Sequence, residues 1–256
     1  MTHSFQKQFQ SSEDLVNLLQ SRGLQINDAT KASKYLDNIG YYRLSAYMHP
    51  LLIFNEIEKI EIAVRRAVMQ IPAEIFNNPF WLTNSEYFLN LSNFRDTMQI
   101  IASEYDKSKE EFIQHFKRTY SESFPPSWSN IKYNSVRKRI AKQFQLPIDV
   151  FESWLTIIAV TRNACCHHAR VWNKQNAIAP TIPNHLPRPW ISVSIDRFRI
   201  YFNLCIIKYF LNIISPENDM FEKLQDLLGR FPEIDVRAMG FTEGWKEEGV
   251  WNSASP

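Results

Sequence analysis

Ile57-Glu58-Lys59-Ile60-Glu61-Ile62-Ala63-Val64-Arg65-Arg66-Ala67-Val68-Met69-Gln70-Ile71 decides the fold class. Ile57, Ile60, Val64, Val68 and Ile71 recur at steps of three and four, which gathers them into one apolar stripe on an α-helix. Glu58, Glu61 and Arg65 fall on the opposite flank. Glu61 and Arg65 form an i, i+4 pair, either a solvated surface pair or part of a polar cluster that supports a site.

The same period runs outward in both directions. Towards the N-terminus, Ser11 or Ser12 caps a short helix with Glu13 and Asp14 in its first turn, Leu15, Leu18 and Leu19 as its stripe, and Gly23 as its stop. A second helix follows Asp28, with Ala32, Tyr35, Leu36 and Ile39 on one side and Gly40 at its end. Tyr41 to Tyr47 is aromatic and expected to be buried. Arg43, set among those rings, needs a carboxylate or a phosphate if it is buried with them.

Towards the C-terminus, Asn78-Pro79-Phe80-Trp81 marks a turn, and residues 91–120 read as a long helix of mixed charge with a solvated outer face. Pro125-Pro126 breaks the chain. Lys132, Tyr133, Arg137, Lys138 and Arg139, with Lys142 beyond, form the densest basic cluster, and it carries an aromatic. Such a cluster suits RNA phosphate and base contacts, or is simply a solvated helix face. Phe151–Val160 is an apolar helical run. Pro180, Pro183, Pro187 and Pro189 give a stiff loop. Residues 191–214 read as an aromatic-rich helix, and Ser215-Pro216-Glu217 as the start of another that stops at Gly229. The tail from Phe231 to Trp251 reads as irregular and pinned by Trp245 and Trp251. With no alternating strand pattern, the chain is expected to be all-α.

Composition narrows the functional classes. The 256 residues are 45% hydrophobic, ample for a packed core, and the net charge of +2 is too weak to argue a nucleic-acid partner by itself. Any basic surface must be local. Cys165, Cys166 and Cys205 are odd in number and two are adjacent, which does not make a disulfide framework and fits a reducing compartment. The first residues contain no apolar signal region, and no apolar run is long enough to span a bilayer, so a cytoplasmic location is expected.

The chemistry concentrates in Arg162-Asn163-Ala164-Cys165-Cys166-His167-His168. Four consecutive side chains on a helix point about 100° apart, so Cys165 to His168 cannot converge on one tetrahedral zinc ion. No metal and no cofactor is expected. A thiol nucleophile lacks an accompanying oxyanion turn, and cysteines after an apolar run are more often packing residues. Histidine moves protons near neutral pH, and arginine stabilises a phosphorane with a planar charge it does not lose. RNA brings its own nucleophile, the 2′-hydroxyl, so these groups suffice for its cleavage. On an ideal helix Arg162 and His167 lie about 140° apart, which argues for a cleft completed by a second copy of the motif.

Several blocks together resemble the Abi-like proteins of bacterial abortive infection, the AbiD/AbiF group, whose catalytic part belongs to the HEPN superfamily. They are Ser21-Arg22-Gly23-Leu24, Ile39-Gly40-Tyr41-Tyr42-Arg43-Leu44-Ser45, Ile60-Glu61-Ile62-Ala63-Val64-Arg65 and Asn78-Pro79-Phe80-Trp81. The order continues through Arg162-Asn163, Trp172-Asn173, Phe231-Pro232-Glu233-Ile234-Asp235 and Met239-Gly240-Phe241.

The resemblance implies a HEPN-type helical bundle with extra N-terminal helices (1–50) packed on a core domain (51–256) and an irregular C-terminal tail. It implies a metal-independent endoribonuclease that acts as a growth-arresting toxin. Arg162 and His167 would be the catalytic pair, with Asn163 and His168 beside them. It further implies an RNA substrate, a homodimer or RNA-bridged assembly, and a small structured non-coding RNA as antitoxin. One departure is that His49-Pro50 runs directly into Leu51–Glu58, where the family carries a further segment. The alternative reading is a non-catalytic helical module that binds RNA or protein.

Overall fold

A computed structural model describes residues 11–39, 41–107, 132–166, 175–192, 194–231 and 235–252; for residues 38, 39, 41–51, 104 and 105 it describes the backbone. Eight α-helices carry the described chain, and no β-strand occurs among the described residues. They are α1 (Ser12–Ser21), α2 (Ala29–Ile39), α3 (Tyr41–Phe76), α4 (Leu91–Lys107), α5 (Asn134–Gln143), α6 (Ile148–Cys166), α7 (Ile200–Ile214) and α8 (Met220–Arg230). No single helix among the described residues is long and apolar enough to cross a membrane.

The chain divides into two compact units. The first comprises residues 1–59, 154–180 and 189–256, the second residues 60–153 and 181–188. In the first, α7 is the central element. Every residue from Ile200 to Asn212 is buried, as its apolar residues on all sides require, and Asn203, Lys208 and Asn212 are buried with them. Trp154 of α6 packs on Trp190 at 4.9 Å between ring centroids and meets Tyr209 of α7 edge-on at 5.3 Å. The tail contacts α7 near both of its ends. Tyr201 lies 4.4 Å from Phe241, Trp251 donates its indole N–H to the Tyr201 hydroxyl at 3.2 Å, and Asn212 donates to the Val250 carbonyl at 2.9 Å. Aromatic pinning thus holds the tail, whose regular structure is one short 3-10 turn at Trp245–Glu247 among the described residues, as the two tryptophans indicate.

The N-terminal helices obey their caps. Ser11 and Asp14 make a reciprocal capping box, each receiving the other's backbone N–H at 3.1 Å. Asp28 caps α2 by accepting the Lys31 N–H at 2.9 Å. Val16, Leu19 and Leu36 form a small core with Leu15, Leu24, Ile26 and Ala32 around it. Tyr35 does not join them. It is 55% exposed, because the short α1 offers only enough surface to cover the Leu36 side of α2.

In the second unit, Trp81 is fully buried and donates its indole N–H to the Met69 carbonyl at 3.2 Å, which ties the Asn78-Pro79-Phe80-Trp81 turn to α3. Val136 and Ile140 of α5 and Phe151 of α6 complete the core, with Phe144 stacked on Phe151 at 5.2 Å.

Three boundaries differ from the sequence reading. The helix expected to begin near Ile57 begins at Tyr41 and continues for 36 residues through Pro50 and Pro72. Each proline lacks an N–H and so removes one i to i−4 bond, and the helix continues past both. The helix expected from residue 191 begins at Ile200. Ser192 gives both its N–H and its hydroxyl to the buried Glu248 carboxylate, at 2.6 and 2.9 Å, and Asp196 accepts the Phe198 N–H, which holds this stretch in turns. The helix expected from Pro216 begins at Met220 and keeps Gly229 within its last turn. Asn218 donates to the Ser215 carbonyl and to Asn212 and accepts the Lys208 ammonium, so residues 215–219 are held in a turn. Pro125-Pro126 and the end of the long helix expected over 91–120 lie outside the described residues.

Candidate functional site

The site is built on the C-terminal end of α6. Val150, Phe151, Trp154, Ile157, Ile158, Thr161 and Cys165 are its buried stripe, and Ala159, Val160, Asn163 and Cys166 face outward. Arg162 stands on the flank between them, half-buried. Its guanidinium carbon lies 5.9 Å from the centre of the Phe54 ring on α3, and one of its terminal nitrogens donates to the Asn163 side-chain oxygen at 3.4 Å. A guanidinium laid over an aromatic face is held there by the attraction of the cation to the ring. Arg162 and Asn163 are therefore brought together. His167 and His168 lie outside the described residues.

From Thr161, the residue before Arg162, runs a polar relay that the sequence reading missed. The Thr161 hydroxyl is buried and donates to the Ile157 carbonyl at 2.8 Å. It accepts from the Asn203 amide at 2.9 Å, and the Asn203 carbonyl oxygen accepts from Asn176 at 3.1 Å. The relay ties the turn that bears Arg162 to α7 and to the segment that follows the motif. Its sequence signal is Asn203, a polar residue inside a mostly apolar helix; its partner was not visible from spacing. A buried amide of this kind must be bonded, and where its bonds go marks what it holds.

The cysteines separate by burial. Cys165 faces the core, and burial first, then the neighbouring Cys166, pushes its thiol up to about 11. Cys205 is fully buried and its thiol is pushed up as well, chiefly by desolvation. Cys166 is exposed, so the expectation that both adjacent cysteines pack inward holds for Cys165 alone: neighbours on a helix point about 100° apart. Among the described residues, no group of three or more His, Cys, Asp or Glu is arranged to hold a metal ion.

The remaining candidates lie elsewhere. Arg43 is on the first turn of α3, where the backbone alone is described. Arg65 is exposed and pairs with Glu61 at 3.1 Å, as the i, i+4 spacing indicates. Lys132 and Tyr133 precede α5, and Lys138 and Arg139 lie on its exposed face. Arg137 pairs with Glu152, and Arg139 approaches Glu74 at 3.6 Å. Glu61, Arg65 and the basic cluster belong to the second compact unit, Arg43 and Arg162 to the first.

Residues 50–173, which contain α6 and the whole Arg162 to His168 motif, match the family described as Abi-like protein. No curated protein and no solved structure gives a significant match to the chain.

Proposed function

The chain belongs, through residues 50–173, to the Abi-like proteins, and from this membership we propose that it is a metal-independent endoribonuclease of HEPN type that arrests growth in abortive infection. The observation that carries the reading is the Arg162–Asn163 pair, set at the outer end of a core-anchored helix and leading directly into His167-His168. A half-buried arginine laid over Phe54, on a helical turn that Thr161 anchors to Asn203, is preorganised to stabilise developing charge on a phosphate. One histidine accepts the proton of the RNA 2′-hydroxyl, and the 2′-oxygen attacks phosphorus. The bond to the 5′-oxygen breaks, and a second histidine protonates that leaving oxygen. The products carry a 2′,3′-cyclic phosphate and a 5′-hydroxyl. Two chains together supply two such motifs to one cleft, which accommodates the helical angle between Arg162 and His167. RNA is the substrate, and a small structured RNA that occupies the same cleft would act as antitoxin.

The test is cleavage of end-labelled RNA in the presence of EDTA, with analysis of the product ends. Arg162→Ala and His167→Ala should each lower the rate by at least about 100-fold. Cleavage of a substrate that lacks the 2′-hydroxyl at the cut, or full activity in either variant, overturns the proposal. RNA bound but left intact by the unaltered chain would instead favour the binding module.

A further inference from the structure

The second unit carries a surface that the cleavage reading leaves unused. The rings of Phe76 and Tyr87 stack face to face, with centroids 4.0 Å apart and planes 4° from parallel. Tyr133 leans on both, at 5.5 Å from Phe76 and 6.3 Å from Tyr87. The Lys132 N–H donates to the Tyr87 carbonyl at 2.7 Å, which fixes the approach of this strand of chain to the ring stack. Phe76 and Tyr87 are half-buried, while Tyr133 is 40% exposed at the point where α5 begins.

The helix that follows is one-sided. Val136, Ile140 and Ala141 turn inward, and Ser135, Lys138, Arg139 and Lys142 are exposed. Residues 132–143 contain five lysines and arginines and no Asp or Glu. Glu152 and Glu74 occupy Arg137 and Arg139 from neighbouring helices, so the charge offered outward is carried chiefly by Lys132, Lys138 and Lys142. Along the helix axis Lys138 lies about 7.5 Å from Tyr133 and about 140° around from it, and Lys142 lies about 6 Å beyond Lys138 on nearly the same side. A part-exposed ring, tilted against two stacked rings and followed by cations, has the chemistry of a base-stacking platform with phosphate contacts.

We infer that Tyr133, backed by Phe76 and Tyr87, is a stacking platform for an unpaired base, with Lys132, Lys138 and Lys142 on the flanking phosphates. The occupant is single-stranded nucleic acid. A duplex does not fit, because its bases are already stacked on one another and hide their faces. The inference deepens the ribonuclease reading, since it names the form of RNA that the chain holds. Stacking and phosphate contacts do not consult the 2′-hydroxyl, so a DNA strand of the same sequence should bind here without being cut.

The experiment measures binding of a fluorescent 12-nucleotide RNA by anisotropy, with the full chain carrying Arg162→Ala so that the probe stays intact. Tyr133→Leu keeps apolar bulk against Phe76 but removes the π-face, and should weaken binding about ten-fold. Tyr133→Phe keeps the face and should bind like its parent. Lys138→Gln and Lys142→Gln should each reduce the slope of log affinity against log salt by roughly 0.7. The matching RNA duplex should bind more weakly than the single strand, and single-stranded DNA should compete for the site. Tyr133→Leu that binds like its parent with unchanged helicity, or a duplex bound as tightly as the strand, overturns the inference. The two proposals fail separately. Cleavage by the unaltered chain with no dependence on Tyr133 removes the platform and leaves the nuclease. Tyr133-dependent binding with no cleavage removes the nuclease and leaves the platform.

Discussion

Thr161 and Asn203 offer a quantitative test of how the site helix is held. Asn203→Leu removes an amide that accepts from Asn176 at 3.1 Å and donates to Thr161 at 2.9 Å. Each neutral hydrogen bond contributes about 1 kcal/mol, so the loss is about 2 kcal/mol. The Thr161 hydroxyl keeps its bond to the Ile157 carbonyl, and the half-buried Asn176 amide returns to water, so neither adds a large penalty. Thr161→Val removes a single hydroxyl but strands an N–H of Asn203, a residue that is 2% exposed, at a cost of about 1–3 kcal/mol. The double variant has neither the stranded donor nor its partner. It should lose about 2 kcal/mol rather than the sum of about 4, a coupling of about 2 kcal/mol. Urea unfolding followed by tryptophan fluorescence reads this, since Trp154 and Trp190 lie in the same unit. With a slope of about 3 kcal/mol/M, each single variant should shift the midpoint by about 0.7 M. Single effects that add to within about 0.5 kcal/mol would refute the relay.

Three further outcomes follow from burial and backbone geometry. Maleimide at pH 8 should modify Cys166 fast and the other two cysteines slowly, because a thiol at about 11 is ionised to roughly one part in a thousand; mass spectrometry showing Cys165 labelled first would contradict this. Lys208 is buried, and desolvation holds its pKa below 10.5 against the pull of Glu222, Glu56 and Asp219. Between its folded value and 10.5 the unfolded chain binds more protons, so the contribution of Lys208 to stability declines as pH falls through that window and stays reduced at pH 7. Lys208→Met should therefore be neutral or stabilising at pH 7 by urea unfolding, and a loss of more than about 2 kcal/mol would show that its bond to Asn218 outweighs the burial of the charge. Gly240 has a φ of +93°, and a Cβ there would stand 2.6 Å from the Arg199 Cβ, so Gly240→Ala should cost about 3 kcal/mol and lower Tm by about 6–12 °C; Gly229→Ala, helical and with nothing within 4 Å, should leave Tm unchanged or raise it.

Much of the fold was legible because its helices are written locally. The Ile57 to Ile71 stripe, the Ser11–Asp14 box and the turn at Asn78-Pro79 rest on interactions a few residues long, and each stands where the sequence indicates. The errors fall where a distant group competes for the backbone. Nothing near residue 192 announces that Glu248, 56 positions away, will take the Ser192 N–H and delay α7 to Ile200. Nothing in Ser215-Pro216-Glu217 discloses that Asn218 will engage Lys208 and Asn212.

The site divides along the same line. By itself, the sequence determined which groups are present: an arginine and an amide adjacent on a helix, two histidines after them, and a basic run with a tyrosine at its head. Chemical identity and helical period are properties of the chain, and they require no partner. Only the tertiary structure decided which of these groups are held and by what. It laid Arg162 over Phe54, anchored Thr161 to Asn203, buried Cys165 while exposing Cys166, and backed Tyr133 with the Phe76–Tyr87 stack. Those choices are made by packing between residues tens of positions apart, where burial forces each polar group to find a partner and no local spacing records which one it finds.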